Sequence, residues 1–142
     1  MRRLSTYLFG LFLGLSLVLS ALPSHAWDSD RVNVTIPFDF VVGNKQLKAG
    51  DYVVELLLDG TALKLRHKGG KVQQVAFTVP ISNQTGNHER LLFHHVGDQY
   101  FLSQVWFWGD EDSRELIRGA QQKSLEKSWP ASDEVITGRS GS

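Results

Sequence analysis

A chain of 142 residues with 15 basic and 15 acidic side chains and no cysteine presents no field for nucleic acid or anionic lipid. Without thiols it has no disulfide, no thiolate metal site, no cysteine nucleophile and no attachment point for the anchor of an exported lipoprotein.

Residues 1–26 read as an export signal. Arg2 and Arg3 supply the positive n-region, residues 8–19 an apolar h-region, and Ser24-His25-Ala26 the small residues of a cleavage site. A retained anchor needs ~20 apolar residues, whereas this run is shorter, broken by Ser16 and Ser20, and closed by Pro23. Cleavage after Ala26 is therefore expected, with no integral span afterwards and a periplasmic or extracellular address. Removing 26 of 142 residues leaves 116, enough for one compact domain. Its 13 basic and 15 acidic residues give a net charge of −2. An exported domain without disulfides must be held by its own core.

From Arg31 onward the hydrophobic pattern has period two. Val32, Val34, Ile36, Phe38, Phe40 and Val42 predict one long strand with a buried face, with Pro37 marking an edge or a bulge. Further strands are predicted at 51–58, 62–68, 72–81, 89–96 and 99–108, with no helical pattern between them. The Asp59-Gly60 dipeptide suits a two-residue type I′ hairpin. That turn opposes Leu56 to Leu63, Val54 to Leu65 and Tyr52 to His67 on one side, and Glu55 to Lys64 on the other.

At Gly69-Gly70 a two-residue loop would mix the faces. A three-residue loop opposing Leu65 to Val75 and Leu63 to Phe77 is expected instead, which places Val75 and Phe77 in the core. Gly97-Asp98 predicts a tight turn that sets His95 opposite Tyr100, His94 opposite Phe101, Phe93 opposite Leu102 and Leu92 opposite Ser103. Both faces of this last hairpin are apolar, so something must cover the second. The expected cover is a helix over 114–127, with Asp112 and Glu115 as a capping box. The loop 82–88 and the polar tail 129–142 have little to bury and are expected to be mobile.

No catalytic constellation stands out. His94 and His95 are adjacent in a strand, so their side chains point to opposite faces and cannot share a metal; no metal or cofactor is expected. Ser103 lacks the glycines of a nucleophile elbow. It can be combined with His94 only on paper, as a small envelope hydrolase. The aromatic strand is the stronger signal: Tyr100, Trp106 and Trp108, with His95 beside them, form a candidate ligand-binding face for a protein, a glycan or a small apolar ligand. The alternative role for these rings is to fill the core beneath the helix. An outer-membrane barrel is disfavoured by the outward charges Glu55, Lys64 and Arg66.

The phrases Pro37-Phe38-Asp39-Phe40-Val41-Val42-Gly43, Leu47-Lys48-Ala49-Gly50-Asp51-Tyr52 and Gly97-Asp98-Gln99-Tyr100-Phe101-Leu102 resemble a family of small exported bacterial proteins. The resemblance implies a common fold and export, and it carries over no catalytic residue. The stretch 47–54 is also similar to a hairpin in prealbumin-like sandwich modules of bacterial surface proteins, where the Gly turns the chain and the Tyr packs into the core. Here Lys48 stands where a proline is frequent. Taken together, the expectation is an all-β domain over residues 27–128, an antiparallel sandwich or short barrel of about six strands in hairpin order with a C-terminal helix. Its expected role is a non-enzymatic binding or structural module of the envelope.

Overall fold

The computed structural model describes residues 31–57, 60–82, 88–107 and 112–138. The segment 1–26 expected to direct export, Asp59, Trp108 and most of the 82–88 loop lie outside the described residues. The described chain is all-β with one short C-terminal helix, as expected. Ten strands are present rather than about six: β1 (Arg31–Ile36), β2 (Phe40–Val42), β3 (Lys45–Leu47), β4 (Gly50–Leu57), β5 (Ala62–His67), β6 (Val72–Ser82), β7 (Arg90–Val96), β8 (Gln99–Trp106), β9 (Asp112–Leu116) and β10 (Ala131–Thr137). The helix α1 spans Ala120–Glu126.

One mixed sheet runs β1-β4-β5-β6-β9-β8-β2-β3, with β7 on the other edge of β8 and β10 beyond β7. All ladders are antiparallel except β2 on β8, where Val41 meets Phe101 in parallel. The long first strand divides in two because Pro37, between β1 and β2, has no N–H for a ladder. The sheet nearly closes on itself. Among the described residues β1 pairs only with β4, and the far end of β10 returns to it: a side chain at Gly138 would strike Val32, and the Gly138 N–H donates to the Glu89 carbonyl at 2.8 Å. Pairing of β1 with β8 is prevented because β7 takes one edge of β8, while β2 and β9 share the other.

Two hairpin registers agree with their turn chemistry. In β4–β5, Tyr52 faces His67, Val54 faces Leu65, Leu56 faces Leu63 and Glu55 faces Lys64. In β7–β8, His95 faces Tyr100, His94 faces Phe101 and Phe93 faces Leu102; an irregularity between Leu92 and Phe93 then moves Leu92 opposite Gln104 rather than Ser103. The β5–β6 register differs from expectation. A shift between Leu65 and Arg66 opposes Leu65 to Gln74 and Lys64 to Val75. The extra residue turns the strand over, so Ala76 and Thr78 point inward while Val75 and Phe77 lie outside, Phe77 at 66% exposure. β6 then leaves β5 and pairs its second half with β9.

The C-terminal part departs most. The helix expected over 114–127 is confined to Ala120–Glu126, and residues 112–116 form β9 between β6 and β8. Gly119 is its N-cap and makes no side-chain capping bond. Backbone slots on two strands outweigh the weak local helix preference of this stretch. The tail expected to be mobile instead contributes β10, whose Ala131–Thr137 pairs residue by residue with β7.

The main core gathers Val32, Ile36, Phe40, Val54, Leu63, Leu65, Leu91, Phe93 and Leu102. Phe93 meets Phe38 and Phe40 edge to face. The Leu47–Tyr52 phrase has a specific job in this core. The Tyr52 ring is buried against Phe40 and its hydroxyl donates to the Lys48 carbonyl at 2.7 Å. The Asp39 carboxylate accepts from the Ala49 N–H at 2.9 Å and the Lys48 ammonium at 2.8 Å. Those bonds lower the Asp39 pKa and raise that of Lys48, while burial raises that of the Tyr52 phenol. A smaller cluster (Val41, Val96 and Phe101) lies on the opposite face of the β2–β8–β7 layer, with Leu125 of α1 packed on it.

Candidate functional site

The tip of the β7–β8 hairpin carries a cleft. Gly97 turns the chain with φ +60°, a conformation costly for any residue with a Cβ. The turn delivers Asp98 and Gln99 to one wall, beside His95 of β7. The opposite wall is the junction of α1 and β10. The Ser128 and Trp129 N–H groups both donate to the Leu125 carbonyl, closing the helix, and Pro130 leads into β10. Leu125, Trp129 and Pro130 line the same open space of about 510 Å³, together with Ser132, which is paired with His95 across the β7–β10 ladder. That volume is within the ~300–1,000 Å³ usual for small-molecule sites. Trp129 is 57% exposed, beside the Gly97 turn.

One wall is rigid. The His95 ring stacks on Tyr100 at 4.2 Å and 6°, and Tyr100 stacks in turn on Phe38 at 3.8 Å and 16°. Three rings in series run from the core to the cleft and hold His95 in place. At the surface, the Gln121 amide of α1 donates to the Gln99 carboxamide at 3.0 Å, tying helix to hairpin.

The helix and β10 are fastened on the other face through His94. Its Nδ1 lies 3.6 Å from Glu126 and its Nε2 3.6 Å from Asp133. Gln122, 4% exposed, places its amide 3.4 Å from His94 Nδ1 and donates to Glu126 at 2.8 Å. Arg118 reaches the second oxygen of Glu126 at 3.4 Å. β7, α1 and β10 thus converge on one imidazole.

Of the four residues singled out in the sequence, the three that are described do not form one face. His95 lines the cleft and Tyr100 supports it from behind. Trp106 is at the other end of β8 and is 6% exposed; the Arg90 guanidinium lies 3.6 Å over its ring and its Nε1–H donates to Gln104 at 3.3 Å. Trp108 lies outside the described residues. Ser103 is buried, and no hydrogen bond among the described residues joins it to His94. No group of three or more His, Asp or Glu is placed to hold a metal among the described residues. Among them, no helix is long and apolar enough to cross a membrane.

Trp129 was absent from the sequence-based candidates. Its signal is a large aromatic residue followed by proline inside an otherwise polar stretch, a combination with no packing partner visible in sequence. No family model, curated protein or solved structure matches the chain.

Proposed function

We propose that this protein is a non-catalytic exported module of the cell envelope that binds its ligand in the cleft between the Gly97-Asp98 turn and Trp129. The observation that carries this reading is an open space lined both by an exposed indole and by His95, whose ring is pre-stacked on Tyr100 and Phe38. Rigid aromatic walls bind at low ordering cost. The signal pattern in residues 1–26 supports export to the periplasm or beyond, and the 37–43, 47–52 and 97–102 phrases support kinship with the small exported proteins it resembles. A non-enzymatic role is favoured because His94, the base a hydrolase would need, is engaged by Gln122, Glu126 and Asp133 rather than by Ser103.

A ligand screen followed by intrinsic fluorescence on the wild type and on His95→Ala tests the site. Loss of His95 removes one wall and is expected to weaken binding about tenfold. Binding that survives unchanged in a folded His95→Ala protein places the ligand elsewhere.

A further inference from the structure

We infer that the cleft takes a chain of pyranose sugars, with Trp129 as the stacking platform; the inference rests on the reading of this cleft as the binding site. A pyranose ring has an apolar C–H face and a polar rim, so its site needs an exposed flat ring and nearby groups that both donate and accept. Trp129 provides the ring. Asp98 accepts, the Gln99 carboxamide, which takes a hydrogen bond from Gln121, does both, and Ser132 adds a hydroxyl beside His95.

The same surroundings argue against other ligands. A polyanion needs an array of cations, and the cleft wall offers a carboxylate and one imidazole. A small apolar ligand is normally held by an enclosed, mostly hydrophobic pocket, whereas this one is open and lined in part by His95, Asp98, Gln99 and Ser132. An extended peptide adding to the sheet needs a free strand edge. Here β7 is flanked by β8 and β10 along its whole length, so strand addition is left only the outer edge of β10, one strand removed from His95. What remains is a trough through which an uncharged, ring-bearing chain can pass.

The test is a titration of the ¹⁵N-labelled full chain with the tetramers of β-1,4-linked glucose and of β-1,4-linked N-acetylglucosamine, following the indole N–H resonances. The Trp129 indole, assigned through Trp129→Tyr, is expected to move with at least one tetramer. Trp129→Ala should weaken that binding about tenfold. Ser132→Trp, which keeps Trp129 but fills the trough, should weaken it to a similar degree, and Trp106→Phe should leave it unchanged. Full binding in the Ser132→Trp protein overturns the inference. If both sugars leave the indole still while a proline-rich peptide or an apolar dye shifts it, the cleft remains a binding site and the sugar assignment falls. If no probe moves it, both readings fall together.

Discussion

The β4–β5 and β7–β8 hairpins bury the same kind of inner face and finish their outer faces in opposite ways. On β4–β5 the outer face is ionic: Glu55 is paired with Lys64 and lies 3.0 Å from Arg31 and 3.5 Å from Arg66. On β7–β8 it is apolar around Val96 and Phe101 and is covered by Leu125 of α1, whose chain runs on into β10 at the edge of β7. A charged outer face is stable in water as it stands. An apolar one must recruit more chain, and the edge of that recruited cover is what opens the cleft beside the hairpin tip. The candidate site is thus a by-product of how the second hairpin solves its burial problem.

The largest expected effect is on the covered side. Phe101→Ala removes the centre of the smaller cluster and is expected to cost about 3–5 kcal/mol in chemical denaturation, with loosening of α1 and β10 visible as faster amide exchange in both. A loss below ~1 kcal/mol would mean that the cover holds without its apolar anchor.

The ionic side responds less, and its response depends on pH. Burial by itself raises the Glu55 pKa, but the Lys64 hydrogen bond and the charges of Lys64, Arg31 and Arg66 outweigh it and bring the carboxyl below its ordinary value of 4.5. A carboxyl lowered in the folded state contributes stability that is fully present above its unfolded value and is lost as pH falls through the folded one. Glu55→Gln is therefore expected to cost about 1 kcal/mol at neutral pH and to flatten the acid limb of the stability curve below pH 4.5. An unaltered acid limb would remove Glu55 from it.

The smallest effect is expected between the two hairpins, on the outward face of β6. Phe77→Thr should change stability by less than about 0.5 kcal/mol, since the ring is mostly in solvent. A cost of ~3–5 kcal/mol would restore the register in which Phe77 fills the core.

These contrasts also mark how much the residues disclose on their own. The β4–β5 register follows from Asp59-Gly60 because a two-residue turn admits one pairing in which both the apolar and the charged partners match. The tip of β7–β8 follows from Gly97-Asp98 in the same way, including the stack of His95 on Tyr100. The β5–β6 pairing could not be read so, because its irregularity at Leu65/Arg66 lies beyond the turn and goes with a strand that must leave one partner for another. Of the candidate site, His95 and its support by Tyr100 were legible. Trp129 was not, since nothing near it in sequence indicates that β7 has an edge waiting for residues 131–137.

What the sequence by itself determined is local and periodic: strand after strand, the turns between near neighbours, and a core in which alternate residues face inward. Those follow from side-chain alternation and turn geometry, which act over a few residues. Only the tertiary structure decided that residues 112–116 are a strand and that the tail completes the sheet. The physical reason is that unpaired backbone edges on β6, β7 and β8 offer hydrogen bonds that local preference cannot match, and those edges exist only once distant strands have met.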